Sequence, residues 1–88
     1  MRSYEEQLLI HLIEELQEIG QMATKIMRFG PDSYHPDDET KTTNVDLLSR
    51  EIGNMLYIQS KLELLGYINN DEVNRGIYEK KQNMKKYN

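Results

Sequence analysis

An all-α fold is predicted for this 88-residue chain, and three observations predict it. Apolar residues recur at spacings of three and four over long stretches, the period of an amphipathic helix. Each stretch opens on a residue suited to capping a helix, and the first two close on glycine. No segment shows the apolar–polar alternation of a strand. The expected architecture is two long antiparallel helices and a shorter third, forming a four-helix-bundle-type core on oligomerisation.

The first helix is expected over about 3–28. Ser3 followed by Glu6 reads as a capping box. Leu9, Leu12, Leu16, Ile19, Ala23 and Ile26 form its apolar stripe, Gly20 weakens it locally, and Gly30-Pro31 ends it. Residues 30–43 hold both prolines, paired aspartates and several hydroxyls, and are expected to form a loop. Such a long loop in a small domain is often functional or mobile.

The second helix is expected over about 44–65, capped by Thr43 or Asn44 and stopped by Gly66. Its stripe reads Leu48, Ile52, Met55, Leu56, Leu62 and Leu65. Asn69 with Glu72 then opens a third helix over about 70–86. Val73, Ile77, Met84 and Tyr87 mark its thin apolar face, and its lysine-rich end suits the negative pole of the helix dipole.

Composition narrows the function. Eighty-eight residues make one domain, with 38% hydrophobic and 30% charged residues, a modest core that favours partner subunits. The net charge of −4 argues against a nucleic-acid polymer as partner. Cysteine is absent, which excludes disulfides and thiolate metal sites. No apolar run approaches a membrane span, and the acidic start Tyr4-Glu5-Glu6 is unlike a signal peptide. A soluble, cytoplasmic protein with no membrane partner is the expectation.

The chemistry is expected where acids gather. Glu14, Glu15 and Glu18 lie within one helical stretch, and Glu51 and Asn54 lie three apart in the next. Residues three or four apart are neighbours on a helix. Glu15 falls about 60° to one side of Leu12, so it borders the expected core and does not simply point outward. Charged helix faces are usually only solvated. Here the acids have few basic partners at four residues, Lys25, seven beyond Glu18, being the main cation within reach, and if the two helices pack antiparallel Glu51 and Asn54 can lie on a flank that faces them. A hard divalent cation is the usual reason to gather carboxylates, because it takes oxygen ligands and offsets their repulsion.

These residues resemble a known family. Glu14-Glu15-Leu16-Gln17-Glu18 followed by Glu51-Ile52-Gly53-Asn54 is similar to the EExxE…ExxD signature of the MazG-like all-α nucleoside triphosphate pyrophosphohydrolases. The resemblance extends to Lys25, Arg28-Phe29-Gly30, Thr43-Asn44 and the lysine-rich third helix, and is closest to small single-domain phage members. It implies hydrolysis of an NTP or dNTP to the nucleoside monophosphate and pyrophosphate, with Mg2+ (or Mn2+) as cofactor and dimers or tetramers as the working form. A phage protein of this kind would act in the host cytoplasm. On that pattern Glu15, Glu18, Glu51 and Asn54 hold the metal and Glu14 orients or deprotonates water. Lys25, Arg28, Lys80 and Lys81 would contact phosphates.

Asn54 departs from the signature, which has aspartate there. Its carbonyl oxygen can still ligate a cation but adds no negative charge. Two alternatives therefore stand beside the enzyme: a MazG-like nucleotide-binding protein with weakened or lost catalysis, and a helical partner-binding protein whose acids are merely solvated. Cations near helix C-termini and in lysine-rich ends also have ordinary explanations in the helix dipole and solubility. Tyr34 and His35 in the loop offer surfaces on which a base can stack, His11 lies one turn before Glu15, and Met22, Met27 and Met55 suit adaptable packing.

Overall fold

The computed structural model describes residues 3–85. It contains three helices, α1 (Tyr4–Phe29), α2 (Asn44–Leu64) and α3 (Asn70–Met84), and no strand among the described residues. Lys86, where the third helix was expected to end, and Tyr87 lie outside the described residues.

The caps are those the residue types dictate. Ser3 Oγ accepts the Glu6 N–H at 3.1 Å, Thr43 Oγ1 accepts the Asp46 N–H at 3.2 Å, and Asn69 Oδ1 accepts both the Asp71 and Glu72 N–H groups. Each satisfies a donor that the helix itself cannot. At the other end of α2, Gly66 takes φ 82°. Its N–H donates to Glu63 O, and the Tyr67 N–H donates to Leu62 O at 2.9 Å. This paired closure needs a left-handed residue, which glycine adopts without a Cβ clash.

Helices α1 and α2 pack on each other along their lengths. Leu8, near the start of α1, joins Ile58 and Leu62 of α2 in a small core that Leu12 and Ile68 flank. Midway, Glu15 and Glu18 meet Glu51. At the far end Asn44 Nδ2 donates to Gly30 O at 3.1 Å. Helix α3 stands apart: it has almost no contact with α1 or α2 among the described residues.

The buried stripe is turned relative to the sequence expectation. Leu8 and Met22 are the buried residues of α1, with Leu12, Ile19 and Ile26 half-buried, while Leu9, Leu16 and Ala23 are exposed. On α2 the core is Ile58 and Leu62, with Leu48 and Met55 half-buried; Ile52, Leu56 and Leu65 are exposed. Both helices carry more apolar residues than one contact can cover. The choice among them was made by the α1–α2 pairing, which seats Leu8 on Ile58 and Leu62.

The loop between α1 and α2 is folded on itself. The Asp38 carboxylate accepts the Thr40 N–H at 2.9 Å, the Thr40 hydroxyl at 2.6 Å and the Thr42 N–H at 3.1 Å. These donors favour the ionised form and lower its pKa to about 2. The loop is pinned to α2 by the Asn44 N–H on Ser33 O and the Val45 N–H on Pro31 O. Asn44 is the one buried polar residue among those described, and its amide bond to Gly30 O explains why it is tolerated there.

Candidate metal centre

One carboxylate oxygen from each of Glu15, Glu18 and Glu51 lies within 4.8 Å of the others. Glu15 and Glu18 are one turn apart on α1, and Glu51 reaches them from α2 at the middle of the helix contact. Glu15 and Glu51 are half-buried and Glu18 is exposed, so the group opens to solvent on the Glu18 side.

Two carboxylate oxygens of these residues are orphans. Glu15 Oε2 and Glu51 Oε2 are shielded from solvent and have no hydrogen-bond partner among the described residues. A buried acceptor without a donor is costly, and on neighbouring carboxylates that are both ionised it is costlier. A proton or a cation between them relieves both. The titration behaviour follows this geometry. Glu15 and Glu18 are raised above their ordinary value, chiefly because their protonated forms hydrogen-bond to Glu51 and their ionised forms are repelled by it, with desolvation adding to the effect. Glu51 is lowered, because it receives those hydrogen bonds from Glu15 and Glu18. Asn54, one turn after Glu51 and exposed, lowers both Glu15 and Glu51 through its amide, a neutral donor to the ionised forms.

The donor set suits a hard divalent cation: all ligands are oxygen, and neither sulfur nor imidazole enters the group. Such an ion would neutralise the mutual repulsion and use the orphan oxygens.

The other expected site residues fall in different places. Glu14 is outside the group; its carboxylate faces His11, with Nδ1 to Oε2 at 3.7 Å on an exposed surface. Arg28 stacks its guanidinium over the Phe29 ring at 5.1 Å. Lys25 lines a cleft with Phe29, Tyr34, His35, Asn44 and Leu47, of about 240 Å³. Lys80 and Lys81 lie on α3 beside Gly76, Ile77 and Met84, on the helix that stands apart from α1 and α2. The acids are thus gathered by the helix pairing, and the basic residues of α3 are not brought to them by helix contacts among the described residues.

The cleft had little sequence signal beyond its aromatic loop residues. It forms because the loop returns onto the start of α2 through the Ser33 and Pro31 carbonyls, and no spacing rule reports such a fold-back. Lys25 stands seven residues beyond Glu18, about 10 Å along the helix. No protein-family model, curated protein or solved structure matches the chain.

Proposed function

We propose that this protein is a divalent-cation-dependent hydrolase that converts an NTP or dNTP to the nucleoside monophosphate and pyrophosphate, in the manner of the MazG-like enzymes it resembles. The observation that carries this reading is the convergence of Glu15, Glu18 and Glu51, from two helices, with two shielded and unpartnered oxygens. The order of contacts from Leu8 with Leu62 to Gly30 with Asn44 fits the antiparallel helix pair such a site needs.

Glu15, Glu18 and Glu51 would hold Mg2+, with the Asn54 carbonyl available as a neutral oxygen donor at the rim. When bound, such an ion neutralises charge that develops on phosphate oxygens and lowers the pKa of water. The chain's own residues would do the rest. Lys25, about 10 Å along α1 from Glu18, places a cation where a phosphate chain can extend. Phe29, Tyr34 and His35 line the adjoining cleft with flat surfaces suited to a base or sugar. Glu14 lies on the rim of the acidic face, where its carboxylate can orient or accept a proton from water once released from His11. Arg28 is held on Phe29 and would reach a phosphate only by leaving that ring.

The deciding assay presents a panel of NTPs and dNTPs with Mg2+ or Mn2+ and separates monophosphate and pyrophosphate from other products. Turnover lost in Glu15→Gln and Glu18→Gln supports the proposal. A complete absence of those products, with every nucleotide and either metal, rejects it.

A second reading is favoured by Asn54: the same site binds a nucleotide and no longer cleaves it. An amide in the place of the signature's acid brings one negative charge fewer to the ion. Asn54→Asp separates the two. Turnover that appears only in the variant supports the binder, whereas turnover already present in the natural chain excludes it.

A further inference from the structure

Helix α3 has almost no contact with α1 or α2 among the described residues, and its residues sort by charge around its axis. At about 100° per residue, Val73, Ile77 and Met84 fall within roughly 40° of one another. Lys80 stands about 60° to one side of Ile77, and Lys81 and Lys85 stand about 40° and 80° to the other. The acids Asp71, Glu72 and Glu79 all stand roughly 120–160° from Ile77, with Arg75 among them. The grouping is also a surface: Ile77, Lys80, Lys81, Met84 and Lys85 line one shallow groove beside Gly76. Ile77 is 62% exposed and Met84 52%.

The charges are also divided along the helix. Arg75 is engaged by Glu72 on the far face, with Nε to Oε2 at 3.6 Å. Residues 80–85 hold three lysines and no acid. The helix dipole favours cations in a last turn. It sets their position along the axis, however, and is indifferent to the side of the helix. It does not account for lysines on both edges of an apolar stripe and acids opposite.

We propose that α3 docks on an anionic bilayer surface, lying in its plane with Ile77 and Met84 among the acyl chains and Lys80, Lys81 and Lys85 at the headgroup phosphates. The charge pattern carries the choice of occupant. Lysine stems lie along apolar surface and deliver their ammonium groups beyond it. Cations on both edges of the stripe then end at the level of lipid phosphates while the stripe sinks below them. A second copy of α3 on the same stripe would bring like charges together along both edges. The stripe has no aromatic residue, the usual anchor for a shaped protein groove, but a fluid surface needs no shaped anchor when charge assists. No helix among the described residues is long and apolar enough to cross a membrane, and attachment to its surface requires no such helix. The net charge of −4 opposes attraction of the whole chain. Charges more than about 8 Å away are largely screened at physiological salt, so the lysine end acts locally.

Co-sedimentation of the full chain with vesicles, without metal or nucleotide, tests this. Each lysine at an anionic surface is worth about fivefold in binding. Vesicles of mixed phosphatidylcholine and phosphatidylglycerol should therefore bind about a hundredfold better than phosphatidylcholine alone, and less as salt is raised. Lys81→Gln should lose about fivefold. Arg75→Gln removes an equal charge from the far face and should lose nothing. The chain has no tryptophan, so Ile77→Trp supplies a probe of depth. Its emission should shift to the blue on the mixed vesicles, and that of Arg75→Trp should not. Failure to bind the mixed vesicles leaves the stripe to a protein groove and overturns the proposal. Equal losses in Lys81→Gln and Arg75→Gln overturn it as well. So does binding that inorganic phosphate abolishes with no blue shift at position 77, which would mean that the lysines take a free anion only.

Discussion

Glu15 and Glu51, on different helices, bring a carboxylate oxygen each to within 4.8 Å of the other, and each also has a shielded Oε2 without a hydrogen-bond partner among the described residues. As two bare anions the pair repels, and a proton or a cation between them would relieve that repulsion. Removing one of the charges should therefore have two effects of opposite sign. Glu51→Gln is expected to raise the melting temperature of the cation-free protein, because the repulsion is gone. It should also weaken Mg2+ binding by on the order of tenfold or more, because one ligand charge is gone. Thermal melts with and without Mg2+, beside calorimetric titration, measure both. A melting temperature that falls in the cation-free variant would show that the carboxylates are not in conflict.

The pH dependence follows from the same group. Glu15 and Glu18 are raised above their ordinary value of 4.5 by Glu51. Their folded state binds protons more tightly than the unfolded chain, so the stability they contribute is fully present below the unfolded pKa and is lost as pH rises through the folded one. Glu51 is lowered, and its contribution runs the other way: present above its unfolded value, lost as pH falls through its folded one. Between about pH 4.5 and neutrality the two raised acids dominate, and the cation-free protein should lose stability. Mg2+ should therefore raise the melting temperature more at pH 7 than at pH 5. An equal gain at both pH values would place the ion elsewhere.

Asn54 sets the charge of the rim. It stands one turn after Glu51, and its amide lowers the pKa of Glu15 and Glu51 by donating to their ionised forms. Asn54→Asp replaces that donor with a further anion. The expected outcome is a fourth charged ligand, roughly tenfold tighter Mg2+ or Mn2+ binding, and lower stability in its absence. Titration of metal into both proteins, after chelation, decides it.

The loop depends on Asp38. Its carboxylate collects two backbone N–H groups and the Thr40 hydroxyl, and its pKa falls to about 2. With the folded value below the ordinary 3.8, this contribution is present above that value and is lost as pH falls towards about 2. Asp38→Ala should speed hydrogen exchange at the Thr40 and Thr42 amides while leaving the Leu62 amide protected. Unchanged exchange at Thr40 would mean that the turn holds without its acid.

The core leaves little reserve. Leu62 is 1% exposed and packs with Leu8 and Ile58. Leu62→Ala should cost about 2–5 kcal/mol, most of the stability of so small a domain. Urea unfolding followed by circular dichroism gives the value. A loss below that range would show that the neighbours collapse into the gap.

The helices and their ends were legible from residue types alone, since each cap is a local contest between a side chain and a few backbone groups. Ser3, Thr43 and Asn69 perform as a reading of their neighbours requires. The gathering of Glu15, Glu18 and Glu51 was also visible as a pattern, because four residues make a helical turn wherever the helix goes. The burial stripe was not. Periodicity put Leu9 and Leu56 in the apolar stripes, whereas Leu8 and Ile58 are the residues buried. Only the partner helix, by seating Leu8 against Leu62, chose between them. Nor did residue spacing reveal that the aromatic loop folds back on the start of α2, or that α3 and its lysines stand apart from the acids. Residue type and spacing set where the chain coils and which residues bear charge, because those depend on near neighbours. The packing of α1 on α2 selects which oxygens lose their water and which apolar faces stay exposed, because burial is a property of two surfaces meeting and neither helix contains it alone.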